Sequence, residues 1–499
     1  MEEQLMLENI ARYLLLHNIK SYVCGGTARD LKMTRTIMYY DFAVTATMQE
    51  LQNIFKNKIK HSDPFLTYVT IDYKNLIVNL YPLKKVTLDN TYYKFEYTDS
   101  LKEDSNSRDY TINAMYYDPL KAKWYDFHDG ENDIKDKLIK FVGNPYDRIL
   151  ESKIRLLRGP VLAGILGTGW KLEHDSHEAI KNYRLKLALT HSTQINKEIT
   201  KIFTRVEVPS KVFNILRSTK ILDDFFPELL LGIGIEQSNK RKNLDLYQHI
   251  MYAIDSVKLS HPRCKIIRAA ALLHDIGKPQ CMTYNQKNEI HFYGHEKASA
   301  FLAERILFRW GFKKDIIKQL HTLISLHLFD ASKRLSSAAV RRLINRASPE
   351  NIHNLIDLRI ADRHGTGRPG ISMEKEEYLR DRINKELENI SPNDFKLVLP
   401  DHQIISMIKD TTDNPLAALP YIRQYLKNKI LYSLIKNKPE NLKRLIRQHL
   451  KVDCPLDKTH LFKTLVEIQE YRADTFDNGK LKCGVFCNFI CDKKIRNQQ

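Results

Sequence analysis

The 499-residue sequence lacks any apolar run long enough to cross a bilayer. Its opening stretch, "MEEQLMLENIARYLLLHNIK", lacks a cleavable signal pattern and reads as an amphipathic helix. These two absences argue against membrane-spanning and secreted classes. Cysteine is sparse: seven residues, an odd number, point to reduced thiols in a cytoplasmic protein rather than to a disulfide framework. Three of them, Cys483, Cys487 and Cys491, recur every fourth residue and so share one helical face. With His460 that face has the ligand types for a metal, but a half-buried thiol stripe is the expectation. Internal repeats and low-complexity linkers are also missing. Acidic residues are in deficit: Asp+Glu number 60 against 79 Lys+Arg, for a net charge of +19. Such an excess favours an anionic polymer, because neutralised phosphates release counterions. A lysine-rich composition alone would give the same total, but from Arg423 to Lys451 many basic residues accompany a single acid, Glu440. Lys443, Arg444 and Arg447 are therefore the expected RNA contacts.

A chain of this length divides into two to four domains. Up to about residue 147, strand-like runs rich in β-branched and aromatic residues ("SYVCGG", "YDFAVTA", "LTYVTIDY", "LIVNLYPLKKVTL") alternate with helical ones. "TMQELQNIFKNKI" reads as a helix with Thr47 as its N-cap. Beyond 148 the apolar period is helical throughout, as in "ESKIRLLRGPVLAGIL" and "PSKVFNILRSTKIL". The charged stretch Glu236–Asp245 marks a boundary. The pattern predicts an α+β chain: a sheet-containing unit over 1–147, then helical units over 148–238, 239–372 and 373–499.

Two constellations carry chemistry. "CGGTARD" places Gly25 and Gly26 where backbone amides can approach a phosphate closely, although a plain strand-to-helix turn would use the same residues. The second is a set of histidines and aspartates: His249; the adjacent His274 and Asp275 in "AAALLHDIGKPQ"; His291 and His295; His327; and Asp362 with His364 in "RIADRHGTGRPG". A lone histidine on an apolar helix is usually a satisfied core residue. An adjacent His-Asp pair closing such a helix, with further histidines on both sides, is a ligand set for a divalent transition metal.

These motifs resemble those of a known family. "CGGTARD", "LKEDSNSRDYTINAMYYDP", "YDFHDGENDIKDKLIKFVGNP" and "ESKIRLLR" are similar, in order and spacing, to the bacterial CCA-adding tRNA nucleotidyltransferases and their poly(A) polymerase relatives. Residues 240–370 resemble the HD phosphohydrolase domain carried by some members, down to "ADRHGTG". The resemblance implies a mixed-sheet nucleotidyltransferase-like head, an all-α neck and body, an all-α HD domain and a helical tail. It implies nucleotide contacts at Gly25, Gly26, Arg29, Arg108, Asp109 and Arg155, with Arg155 offering a planar donor fork to a base edge. It makes His249, His274, Asp275 and Asp362 the metal ligands, and adds His295 and His327 for a two-metal version. Asp275 and Lys278 would act on a phosphate, with Asp41 as the catalytic carboxylate of the head. Nickel, manganese or iron would suit the HD site.

The sequence also departs from the family pattern. The paired metal-binding aspartates, Asp-x-Asp, stand as Tyr39 and Asp41. A further carboxylate on a neighbouring strand stands as Asn79, the first Arg of Arg-Arg-Asp as Ser107, and the Asp of Glu-Asp-x-x-Arg as Ser152. A later Glu-Arg pair falls on Thr193 and Gln194. A phenol stays protonated near neutral pH and cannot replace a carboxylate on a hard cation, so magnesium binding in the head is in question. The expectation is a tRNA 3′-end enzyme with an impaired transferase head and an intact HD phosphohydrolase, its partners being tRNA or another structured RNA and nucleotides. The competing readings are a working transferase in which Asp30, Asp72 or Asp104 replaces the missing carboxylate, and a non-catalytic RNA-binding scaffold.

Overall fold

The computed structural model describes residues 2–62, 67–89, 92–236, 244–368, 370–389, 397–410, 414–433 and 435–450. The cysteine stripe and His460 lie outside the described residues.

The N-terminal unit is built on a seven-stranded sheet. Helix α1 (Glu2–Leu15) leads into β1 (Ser21–Cys24), α2 (Gly25–Lys32), β2 (Tyr40–Val44) and α3 (Met48–Ile54). Strands β3 (Ile59–Ser62), β4 (Val69–Tyr73) and β5 (Leu76–Pro82) follow, then the ribbon β6 (Lys84–Asp89) and β7 (Tyr92–Tyr97), helix α4 (Leu101–Asn106), and strands β8 (Tyr116–Asp118) and β9 (Lys123–Tyr125). The spatial order is β3-β4-β5-β2-β1-β8-β9, with β6 and β7 paired separately. Only β2 and β5 run parallel, so the sheet is mixed. Side chains alternate between faces along each strand. Val23, Phe42, Val44, Val78 and Leu80 pack under α1 and α3 in one core, while Cys24, Ala43 and Tyr116 lie in a smaller cluster. Asp41 and Asn79 occupy the alternate positions of β2 and β5 and are directly paired in register.

Helices dominate after α5 (Gly130–Lys135) and the short strand β10 (Leu138–Ile139). The next segment holds α6 (Pro145–Glu151), α7 (Arg155–Leu166), β11 (Lys171–Leu172), α8 (His174–Tyr183), α9 (Ser192–Arg205), α10 (Pro209–Ser218), α11 (Ile221–Phe225) and α12 (Pro227–Leu230). Then come α13 (Leu246–Ser256), α14 (Cys264–Leu273), the hairpin β12 (Thr283–Tyr284) and β13 (Ile290–His291), α15 (His295–Arg309), α16 (Lys314–Leu326), α17 (Ser337–Ala347) and α18 (Ile352–His364). The described C-terminal helices are α19 (Glu374–Asn389), α20 (Asp401–Ile408), α21 (Pro415–Ser433) and α22 (Pro439–Leu450).

Several elements differ from the sequence expectation. "LIVNLYPLKKVTL" forms two strands in different sheets, because the chain turns at Leu83, whose N–H donates to the carbonyl of Val44. Thr47 does cap α3, in a capping box with Glu50, but the helix ends at Ile54 and Ile59 already belongs to β3. "ESKIRLLR" is not one helix: Ser152 is extended, and Arg155 Nη1 donates to the carbonyl of Arg148 at 2.7 Å, capping α6 from outside. "PSKVFNILRSTKIL" breaks at Lys220, whose φ of 56° is left-handed.

One hydrophobic cluster runs from Tyr110 to Ile383, through α7, α9, α10, α13, α14 and α18. Arg268 on α14 is fully buried within this region. Its guanidinium donates to the carbonyls of Val257 at 2.8 Å, Val206 at 2.6 Å, Phe203 at 3.3 Å and Glu207 at 3.3 Å. Three of these carbonyls belong to the C-terminal end of α9 and the turn after it, where a helix leaves acceptors unmatched. The Arg268 side chain thus joins the helices before 236 to those after 244. Arg268→Met should leave several buried carbonyls without donors and lower stability by about 3 kcal/mol. A urea midpoint in Arg268→Met equal to the wild-type value would contradict this.

Candidate functional site

Five helices converge on one carboxylate. α14 ends at Leu273, and its C-cap His274 and the following Asp275 are both buried. His249 comes from the middle of α13, His295 opens α15, His327 caps α16 and Asp362 lies in the last turn of α18. The ligating atoms of His249, His274, Asp275 and Asp362 all lie within 4.8 Å of one another, as do those of Asp275, His295 and His327. Asp275 belongs to both groups. Its Oδ2 stands 3.3 Å from His249 Nε2 and 3.2 Å from His274 Nε2, and its Oδ1 stands 3.2 Å from His295 Nε2 and 3.6 Å from His327 Nε2. Asp362 Oδ1 is 3.3 Å from His249 Nε2 and 3.5 Å from His274 Nε2.

The imidazoles are oriented from behind. His274, His295 and His327 each direct Nδ1 at the carbonyl three residues earlier, of Ala271, Phe292 and Ile324, at 2.8, 2.6 and 2.7 Å. A donor role there places the lone pair on Nε2, the form that ligates metal. His249 Nε2 and His274 Nε2 face each other at 3.2 Å, and Asp275 Oδ1 and His295 Nε2 are buried without a hydrogen-bond partner. Nitrogens and carboxylate oxygens crowded together in a buried site are costly unless a proton or a metal cation sits between them. The residues therefore fit one or two divalent ions. Burial disfavours an imidazolium at His274, yet Asp275 and Asp362 outweigh it and raise the ring to about 10. Burial likewise opposes the charge on Asp275, but His274 and Lys278 hold it well below the usual carboxylate range. Lys278 Nζ is 2.5 Å from Asp275 Oδ2.

Two glycines seat this cluster: Gly277, which the sequence suggests only as a helix stop signal, and Gly365, which sequence reasoning did not single out. A Cβ on Gly365 would meet His249 Cε1 at 2.8 Å, and one on Gly277 would meet the backbone N of Ser299 at 2.4 Å. Each lies within a motif already noted, "ADRHG" or "HDIGK", and could have been questioned there. His291 and His364 are not among the metal-binding groups found in the described residues.

In the head, Gly25 has φ +60°, a left-handed conformation that suits glycine. A Cβ there would stand 3.7 Å from Arg108 Nη1 and 3.9 Å from Asp41 Oδ2, so the glycine keeps open the gap between a guanidinium and the carboxylate. Asp41 Oδ1 accepts from Asn79 Nδ2 at 2.8 Å, while Asn79 Oδ1 accepts from Thr70. The amide thus turns a donor, not an acceptor, toward Asp41. Burial raises the Asp41 carboxyl above its ordinary range, against the pull of Asn79 and Arg108. Tyr39 is 45% exposed and lies under the Arg205 guanidinium, 5.5 Å from the ring centroid.

The other expected nucleotide contacts are held by protein groups. Arg29 donates to Asn113 and Asp30. Arg108 is paired with Asp104 at 2.9 Å and with the Tyr116 hydroxyl. Asp109 pairs with Arg158 at 2.8 Å. Arg155 does not present an open fork: it donates to Glu151, to the Arg148 carbonyl and to the Ser107 carbonyl. Of the carboxylates considered as replacements, Asp30 is engaged by Arg29, Asp72 by Lys60 and Asp104 by Arg108. Thr193 and Gln194 sit at the start of α9, whereas the acid facing the neck is the buried Glu198, bridged by Lys201 at 2.7 Å and near Arg158 at 3.6 Å. An acid flanked by Ile195, Ile199 and Ile202 on one helical face was the signal that would have found it. In α22, Leu442, Leu445 and Ile446 are buried; Arg444 and Arg447 point outward and Lys443 is half-buried.

Comparison with known proteins agrees with this arrangement. Residues 21–140 match the Poly A polymerase head domain and residues 261–366 match the HD domain. The HD match begins after His249, which the structure nevertheless places within the ligand cluster, where the resemblance puts it. The chain is 25% identical over 378 residues to the multifunctional CCA protein of Pasteurella multocida, covering 72% of this chain and 88% of that one. It is 28% identical over 207 residues to the CCA-adding enzyme of Enterococcus faecalis, covering 40% of this chain and about half (48%) of that enzyme. The structure of the Bacillus stearothermophilus CCA-adding enzyme in complex with CTP superposes with a TM-score of 0.58 at 18% identity, covering 88% of this chain and 95% of that one, which shows a shared fold.

Gly365→Ala should push the His249 ring off its seat and weaken divalent metal binding by at least about tenfold, as loss of a supporting contact does. Metal titration followed by calorimetry checks this, and unchanged affinity would remove Gly365 from the site. The chain thus carries a match to the Poly A polymerase head domain followed by a match to the HD domain, and is similar over most of its length to a bacterial multifunctional CCA protein.

Proposed function

We propose that this protein is a cytoplasmic tRNA 3′-end processing enzyme whose HD centre hydrolyses phosphate esters of RNA or nucleotides, and whose head transfers nucleotides poorly or not at all. The units proposed are a head over 1–147, a neck and body over 148–238, an HD domain over 239–372 and a basic helical region over 373–499. The observation that carries the reading is the pair of ligand groups sharing Asp275, with Asp275 Oδ1 and His295 Nε2 buried 3.2 Å apart without a hydrogen bond. When bound, a divalent ion supplies polarisation of a phosphoryl oxygen and a water of lowered pKa. The chain's own residues do the rest. Carbonyls behind His274, His295 and His327 fix their tautomers, and Lys278 sets a cation beside Asp275 where a phosphate would arrive.

The head supports the second half of the reading. Transferases of this type stabilise the developing charge with carboxylate-held metal. Here Asp41 accepts an amide from Asn79 on one oxygen, and Tyr39 is engaged by Arg205. The alternative, a working tRNA nucleotidyltransferase, is favoured by the names of the similar proteins. Wild-type protein and Asp275→Ala, each given tRNA ending in a 2′,3′-cyclic phosphate, separate the two, together with labelled CTP and ATP on tRNA lacking CCA. Ring opening that requires Asp275 is expected, with nucleotide incorporation slower by several orders of magnitude than a family transferase, since about 1.4 kcal/mol of lost stabilisation is tenfold. Rapid CCA synthesis abolished by Asp41→Ala, or ring opening that survives Asp275→Ala, would overturn the proposal.

RNA delivery is assigned to the outward face of α22. Charge reversal at Lys443, Arg444 and Arg447 should weaken tRNA binding and flatten the slope of log K against log salt by about 2–3. An unchanged slope would mean that this face is only solvated surface.

A further inference from the structure

A recess of about 580 Å³ opens directly beside the HD ligands. His295 belongs both to its wall and to the metal cluster, Lys278 on the same wall pairs with Asp275 of that cluster, and Phe292, Tyr293, Leu343 and Arg346 form much of the remainder. Its volume lies within the range of small-ligand pockets, roughly 300–1,000 Å³. At its His295 end the buried Nε2 stands 3.2 Å from Asp275 Oδ1, neither atom hydrogen-bonded. A ligand's reacting phosphate would reach that end, leaving the rest of the recess for whatever the phosphate is attached to.

Its rim is aromatic and held in place. Tyr293 is 77% exposed, and its ring lies flat on His291, with centroids 5.1 Å apart and planes 7° apart. The His291 ring is fixed in turn by Asn285, whose Nδ2 lies 3.1 Å from His291 Nε2. Asn285 also closes the β12–β13 turn: its carbonyl accepts from Asn288, its Oδ1 accepts from the N–H groups of Lys287 and Glu289, and its Nδ2 donates to Glu289 Oε2. The hairpin therefore presents a preorganised, flat aromatic face at the mouth of the recess. Lys278 Nζ sits 5.6 Å from the Phe292 ring centroid, and Arg346 and Lys278 outnumber the single lining acid, Glu296. A flat aromatic platform, an apolar wall and cations leading to a metal-binding cluster suit a nucleotide, with its base on the aromatic face and its phosphate at the ligands.

We infer that this recess is a nucleoside subsite of the HD centre, with Tyr293 as the stacking platform for the 3′-terminal base of an RNA. The inference rests on the proposal that the HD centre hydrolyses phosphate esters. In the reaction tested, one water adds across a P–O bond of a five-membered cyclic phosphate. Its oxygen joins phosphorus and its proton goes to the departing alcohol oxygen.

The test uses the full chain loaded with Mn²⁺ and two cyclic diesters, cytidine 2′,3′-cyclic phosphate and glycerol 1,2-cyclic phosphate, which lacks a base. Tyr293→Ala should lower the ratio of kcat/KM, nucleotide over glycerol ester, by at least about fivefold, chiefly through KM, as removal of a stacking ring does. Tyr293→Phe, which keeps the ring, should retain the wild-type ratio. A smaller fall in Tyr293→Ala, with hydrolysis still present, overturns the subsite and leaves the HD reading standing. Wild-type protein that binds Mn²⁺ but opens neither ester overturns the HD reading and the subsite with it.

Discussion

The constraint on which the helical half depends is the burial of a charged carboxylate. Asp275 is 1% exposed and held in its ionised form. A buried charge is tolerated only with close compensation, because removal from water costs several kcal/mol per ion. The compensation here comes from histidines on four separate helices, α13, α14, α15 and α16, and from Lys278, while Asp362 on α18 shares His249 and His274, so these helices are fixed by one another through this group. Gly277 and Gly365 show how tight the fit is. The first lets the loop after Asp275 lie against α15, and the second leaves room for the His249 ring. A cluster assembled this way is more than a satisfied core, since Asp275 Oδ1 and His295 Nε2, 3.2 Å apart, are buried without a hydrogen bond.

The head solves a different problem. Its functional face is the side of the sheet turned away from α1 and α3, where Asp41 and Asn79 stand side by side on parallel strands. Replacing a carboxylate by an amide at that register position changes a repulsive pair, which a cation would bridge, into a hydrogen-bonded one. The fold is undisturbed, because Asn79 also satisfies Thr70 on the next strand. The sheet architecture thus accommodates an amide beside Asp41 without loss of hydrogen bonding.

The basic excess of the chain divides between solvent and interior. Arg268 binds four backbone carbonyls between the body and HD helices, Arg155 caps α6, and Arg108 completes a buried group with Asp104 and Tyr116. These arginines hold the protein together through planar, multidentate donation, which lysine cannot reproduce. Net charge therefore overstates the basic surface by such residues, whereas Arg444 and Arg447 of α22 do face solvent.

Much of this was legible in the sequence. The period-2 runs give the mixed sheet of the head, Thr47 caps α3, and the His-Asp pair at the end of "AAALL" does close an apolar helix inside a cluster of histidines. These features are local, set by backbone geometry and apolar period, and so are written in neighbouring residues. The single run that became β5 and β6, the break at Ser152 and the closed fork of Arg155 were not legible, because each is decided by a partner distant in the chain. By itself the sequence determined which residue types could ligate metal and where the glycines stood. Only the tertiary structure decided that Gly365 makes room for the His249 ring, that Asn79 faces Asp41, and that Tyr293 flanks the HD cluster. The reason is that ligand geometry and hydrogen-bond satisfaction depend on distances in space, which helix packing sets and chain order does not.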